Sequence, residues 1–115
     1  MPVVIGDVGA DVERGPVPVT IEYAVIPKRT AEFVDAMQEY GRIRRRHGAY
    51  RWAIFRDTEV ADRYLEIFLV NSWAEHLRQH ERQTQADREL EERIYSCLSG
   101  EPMVRHLIDA YTTET

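Results

Sequence analysis

Hydrophobic positions change their period along this chain, and the changes mark its elements. From Val17 to Ile26, the residues Val19, Ile21, Tyr23 and Val25 alternate with Thr20, Glu22 and Ala24, the two-residue period of a strand with one buried face. Pro27 ends it. From about Thr30, a candidate cap, the period lengthens. Phe33, Ala36, Met37, Tyr40 and Ile43 recur at helical spacing, and Gly48 stops the helix behind Arg44, Arg45, Arg46 and His47, where positive charge suits the helix dipole. Tyr50 to Asp57 and Arg63 to Asn71 alternate again and are rich in aromatic and branched residues, so a hairpin closed by the acidic DTEVAD turn is expected. Ser72, with Glu75 three residues on, has the capping-box pattern and starts a helix straight off the second hairpin strand. Thr84 is a further cap candidate ahead of a stripe formed by Ala86, Leu90, Ile94 and Cys97, which Gly100 and Pro102 close. Met103 to Tyr111 alternates loosely and is expected to form a fourth strand.

Strand, helix, strand, strand, helices, strand is the order of a split βαβ, ferredoxin-like α+β domain with a four-stranded antiparallel sheet. If the hairpin sets Arg56 opposite Arg63, then Ala53 faces Glu66, and Arg51 lies diagonally from Glu66 on the same side, within reach of an ion pair. Trp52, Ile54, Leu65, Ile67 and Leu69 would then bed the helices. Ala53, Phe55, Tyr64, Phe68 and Val70 would stay uncovered, too apolar for a wet face, so a sheet-to-sheet homodimer with Arg51 and Glu66 as its polar interior is expected.

Length and composition narrow the rest. With 115 residues and 43% hydrophobic content, the chain supports one domain with a real core. Residues 1–16 carry Gly6, Gly9, Gly15, Pro2 and Pro16 and read as a flexible leader or linker; 17–111 form the domain and 112–115 a polar tail. A net charge of -5 argues against nucleic acid as a partner. The single cysteine, Cys97, rules out an internal disulfide and fits a reducing compartment, with the cytoplasm as the default. Neither a spanning apolar segment nor a signal peptide is recognisable, so direct membrane insertion is not expected.

Chemistry is sparse. Trp73, His76, Leu77 and His80 share a helix face, and two histidines four apart have the spacing to hold one metal ion. A metalloprotease helix needs Glu directly after its first His, where Leu77 stands, and no third ligand is adjacent, so packing histidines and no metal are expected. Arg44 falls near the middle of the apolar side of its helix and must snorkel past the helix end, the expected outcome, or point into a polar cavity. Trp52, Trp73, His76, His80 and Arg44 are the candidate cavity residues. Cys97 reads as a small buried residue, and Tyr95 points away from its stripe.

The segments VTIEYAVIP, AEFVDAM, RIRRRHGAYRWAIFRD and YLEIFLVNSWAEHLRQHER, spanning about Val17 to Tyr111, resemble the soluble domain that follows the membrane helices in a bacterial branch of major facilitator superfamily transporters. That domain is similar to the antibiotic-biosynthesis monooxygenase family, so the resemblance implies a dimeric α/β barrel. The transmembrane part does not accompany it; the chain is expected to be either a piece of a transporter or a free-standing relative. Haem-degrading cousins use Asn, Trp and His, whereas the first strand here offers Thr20 and Glu22, so that triad is not carried over. Two readings stand. One is a non-catalytic dimerisation or small-ligand-sensing domain, the appendage of a transporter; the other is a cofactor-independent monooxygenase acting on a small aromatic substrate. Neither calls for a cofactor, and a small apolar or aromatic ligand fits both.

Overall fold

A computed structural model describes residues 16–80 and 83–111. Residues 1–15 of the expected leader, 1–16, and the tail, residues 112–115, lie outside the described residues. Strand β1 (Val17–Ala24) is followed by a 3-10 turn at Pro27–Arg29 and helix α1 (Thr30–Arg46). Strands β2 (Tyr50–Arg56) and β3 (Arg63–Val70) form the hairpin, and α2 (Trp73–His80), α3 (Gln85–Ser96) and β4 (Met103–His106) complete the domain. The sheet order is β2-β3-β1-β4, antiparallel throughout, which is the ferredoxin-like arrangement.

Local chemistry explains most boundaries. Because the Pro27–Arg29 turn leads directly into α1, Thr30 is the first helical residue and not the cap; its hydroxyl donates to the Pro27 carbonyl at 3.0 Å. At the other end, Gly48 at φ 98° lets its own N–H reach the Arg45 carbonyl and that of Ala49 reach the Arg44 carbonyl, a glycine-terminated helix end. The Ser72 hydroxyl accepts from the Glu75 N–H, and Thr84 and Asp87 exchange both bonds of a capping box. Asp87 takes the buried position in α3, whereas Ala86, expected on the apolar stripe, is exposed. The fourth strand is only four residues long, shorter than the alternation suggested.

The core lies between one sheet face and the helices. Val17, Val19, Ile21 and Tyr23 of β1 meet Phe33, Ala36, Met37 and Tyr40 of α1, with Leu90, Ile94 and Cys97 from the end of the chain's last helix. Phe33 packs edge-on against Tyr23 and tilted against Tyr64, at centroid distances of 5.3 and 5.2 Å.

The hairpin register corrects the sequence reading by one residue. Arg56 pairs with Tyr64, Ile54 with Glu66 and Ala53 with Ile67. A one-residue slip exchanges the faces of a whole strand. Tyr64, Glu66, Phe68 and Val70 therefore lie under the helices, and Leu65, Ile67 and Leu69 face the other way. Strand β2 keeps the expected sides, with Trp52 and Ile54 against the core. Between Tyr50 and Ala53 it carries a bulge, three residues against the two-residue step from Leu69 to Ile67, with Arg51 in the left-handed region at φ 52°. The uncovered sheet face thus presents Tyr50, Ala53, Phe55, Leu65, Ile67 and Leu69 from β2 and β3, an apolar half, beside Thr20, Glu22 and Arg105 from β1 and β4.

Candidate functional site

The site is built around a carboxylate that the sequence placed on the wrong side. Glu66 is 0% exposed. An isolated carboxylate there would be untenable, so donors surround it. Its Oε1 accepts from the Tyr23 hydroxyl at 2.7 Å and from Arg44 Nη2 at 3.1 Å; its Oε2 accepts from Arg44 Nε at 2.8 Å and from Trp52 Nε1 at 2.7 Å. Arg44 approaches from the last turn of α1, Tyr23 from β1 and Trp52 from β2, so one side chain ties three elements to β3. The expected Arg51–Glu66 pair is overturned by this register: Arg51 is exposed at the bulge, and Arg44 is the partner. Nor does Arg44 snorkel. Its side chain is 15% exposed, and its guanidinium lies between the rings of Tyr40 (4.4 Å to the centroid) and Phe68 (4.7 Å).

Helix α1 is shaped to admit this. Gly41 stands mid-helix, where glycine costs about 1 kcal/mol relative to alanine. A Cβ there would come within 2.8 Å of the Trp52 ring, so the indole packs directly on the helix backbone and reaches Glu66. Burial pushes the Glu66 carboxyl up, but the charge of Arg44 and the bonds from Arg44, Tyr23 and Trp52 outweigh it and hold the group below its ordinary value. Tyr23 goes the other way: burial first, then the Glu66 charge, raise its hydroxyl well above the ordinary tyrosine value, so it stays a donor.

Beside this network lies a cleft of about 30 Å³, lined by Tyr40, Ile43, Arg44 and His47 from α1 and its end, Ala49, Phe68 and Val70, His76 of α2, and Gln83. Its rim is also hydrogen-bonded. The Tyr40 hydroxyl donates to Glu91 at 2.8 Å and Gln83 Nε2 donates to the same oxygen at 3.1 Å. Arg46 donates to Asp87 at 2.7 Å, with His47 Nε2 3.7 Å from the other oxygen of that carboxylate. His76 stacks obliquely between Phe68 and His106, at centroid distances of 6.0 and 5.9 Å. Burial lowers His106 to about 4.

Of the residues singled out in the sequence, Arg44 and Trp52 converge on Glu66, and His76 lines the cleft with Arg44. Trp52 does not line it. The side chains of Trp73 and His80 lie outside the described part of the structure. Tyr23, Tyr40, His47 and Phe68 were read as packing or helix-end residues and not as site residues, and Gln83 was not singled out; the one available signal was the glycine inside α1. Among the described residues, no group of three or more His, Cys, Asp and Glu is placed to hold a metal ion. Nor is any described helix long and apolar enough to cross a membrane.

Solved structures share the fold. A Caulobacter crescentus CB15 protein named after the antibiotic biosynthesis monooxygenases superposes with a TM-score of 0.72 at 17% identity, covering 84% of this chain and 92% of that one. A Nitrosomonas europaea protein named after the same enzymes gives 0.70 at 19%, covering 87% and 96%. A mutant of SnoaB, a cofactor-independent oxygenase from Streptomyces nogalater, gives 0.67 at 14%, covering 86% and 97%. At these identities the likeness is one of fold, and the neighbours identify it as the dimeric α/β barrel type. No protein of curated function matches the sequence. The family model described as transmembrane secretion effector (MFS_3) matches residues 2–114, nearly the whole chain, and the protein belongs to that family.

Proposed function

We propose that this chain is a non-catalytic, dimerising and small-ligand-sensing domain, the cytoplasmic soluble part of a major facilitator superfamily transporter. The observation that carries the reading is the uncovered sheet face. Phe55 is 54% exposed there, amid Tyr50, Leu65, Ile67 and Leu69, on the side opposite the helices. Sheet faces left to water are ordinarily polar, and a second copy packed face to face would bury this one. The polar side chains around Glu66 support the same view: Trp52 and Tyr23 each commit their one donor to Glu66, and Arg44 commits two nitrogens there.

Sedimentation velocity at micromolar concentration tests the dimer. The wild type is expected to sediment as a dimer and Phe55→Glu as a folded monomer, since that side chain contributes little to the fold of one copy. A wild type that stays monomeric overturns the reading. The transporter link is decided at the gene, where apolar helices encoded in frame upstream of Met1 are expected.

A second reading, a cofactor-independent monooxygenase acting on a small aromatic substrate, draws on one observation: His76 and Arg44 line the same cleft against the apolar wall of Phe68 and Val70. Oxygen consumption with a panel of small hydroxyaromatics, abolished by His76→Ala, would favour it over the first.

A further inference from the structure

The outward side chains of the sheet fall into cross-strand rows. Ala53, Ile67, Thr20 and Arg105 stand opposite one another on β2, β3, β1 and β4 in turn, and Phe55, Leu65, Glu22 and Met103 form a second such row. Between the two runs Ile54, Glu66, Ile21 and Val104, which pack inward, so both rows point away from the helices. Each row holds one end of a charge pair and one half of a size contrast. Arg105 has no carboxylate within ion-pair distance among the described residues. Glu22 reaches only Arg63, at 3.9 Å, and Arg63 lies equally far from Asp57. On β2, the small Ala53 of one row neighbours the ring of Phe55 in the other.

We propose that a second copy of this chain docks on the face with the two-fold axis crossing the strands between these rows, so that each row lies on the other row of the partner. The inference rests on the dimer of the proposed function and adds its geometry. Two-fold symmetry leaves few ways to lay one sheet on its copy, with the axis between the two sheets. An axis along the strands would set Leu65 on the partner's Glu22 and Ala53 on the partner's Arg105, burying charges against hydrocarbon with no counter-charge. An axis crossing the strands on a row would face Glu22 with the partner's Glu22, or Arg105 with the partner's Arg105, like charge on like. An axis between the rows avoids both faults. Phe55 then covers the partner's Ala53, large on small, and Leu65 meets the partner's Ile67. Glu22 lies over the partner's Thr20, one strand away from the partner's Arg105, and symmetry forms that ion pair twice. Sheets that pack aligned, about 10 Å apart, keep such rows facing near the middle of the interface. Arg63, one position beyond the second row, falls toward the rim, where its stem can pack and its charge reach water.

The test mixes two full-length variants, Glu22→Arg and Arg105→Glu. Each alone faces like charges across the interface, and its homodimer should be weakened about tenfold. In their heterodimer both ion pairs are restored with the charges chosen by partner, although neither chain carries an opposite-charge pair at these positions. Fluorescence-detected sedimentation with one chain labelled should therefore show a heterodimer about tenfold tighter than either homodimer, close to the wild type. A pairing within one chain cannot produce that result. Ala53→Phe mixed with Phe55→Ala repeats the logic in size, so the geometry remains testable if a charge variant folds poorly. Heterodimers no tighter than the homodimers, in both mixtures, overturn the proposed axis while a dimeric wild type leaves the dimer standing; a monomeric wild type overturns both.

Discussion

Arg44→Met and Glu66→Gln, singly and together, ask how the buried network is held. Arg44→Met leaves a fully buried carboxylate with only Tyr23 and Trp52 as donors, and breaking a buried pair in this way costs about 3–5 kcal/mol. Glu66→Gln keeps the shape but removes the counter-charge of Arg44 and turns an amide N–H₂ toward existing donors, for a loss of about 3 kcal/mol. The double variant contains no buried charge. Its amide oxygen accepts from Trp52 and its N–H₂ donates to the Tyr23 oxygen, and with the charge-assisted bonds lost about 1–2 kcal/mol is expected. The double should therefore be more stable than either single, a strongly non-additive cycle.

Urea unfolding followed by tryptophan fluorescence measures all four proteins, and a native stability of about 5–15 kcal/mol leaves room for each single loss. Losses that add within about 0.5 kcal/mol would refute the account, since that is the behaviour of independent sites. Acid provides a second check with a defined sign. The folded Glu66 carboxyl sits below its ordinary value, so its contribution is present above about pH 4.3 and is lost as pH falls through the folded value. Glu66→Gln should flatten that acid limb.

Two further predictions come from neighbouring packing. Gly41→Ala puts a methyl within 2.8 Å of the Trp52 ring and should cost about 1–3 kcal/mol despite alanine's better helix propensity; Gly41→Ala combined with Trp52→Leu should recover most of it in the same urea assay. His106, held down to about 4 by burial, stays neutral in the fold at pH values where the unfolded chain already takes a proton, so stability should fall between about pH 6.5 and 4. The full shift corresponds to about 3 kcal/mol; partial exposure reduces the expected drop to about 1–2 kcal/mol, and His106→Gln should remove it.

The elements were legible in the sequence because periodicity, glycine and capping residues are local signals. Gly48, Ser72 and Thr84 each act where the pattern put them. The register was not legible, and the reason is physical. Strand β3 is apolar on both faces, with Leu65, Ile67 and Leu69 on one and Tyr64, Phe68 and Val70 on the other, so hydrophobicity alone distinguishes them only by Glu66. Sending the charged residue outward is the sound default, and it fails here because the compensating donors come from sequence positions 23, 44 and 52, remote from it and unmarked by any motif. The bulge at Arg51 adds a residue that no alternation rule anticipates.

The buried acid and the apolar outer face are two sides of one choice. A strand's residues alternate, so putting Glu66 under the helices puts Leu65, Ile67 and Leu69 outside. The opposite register would have saved the desolvation of a carboxylate and hidden three aliphatic side chains, at the cost of exposing Tyr64, Phe68 and Val70. Two things favour the observed arrangement within one copy. The inner face carries larger aromatic surface, including Phe68 against Arg44 and Tyr64 against Phe33. Glu66 also gathers Arg44, Trp52 and Tyr23 into one bonded unit, which no aliphatic residue at that position could do. In a domain that worked as a dimer, these half-buried aliphatics would cease to be a cost, because the partner's sheet would cover them. The same register that fixes Arg44 beside the cleft therefore also supplies the surface through which two copies would join.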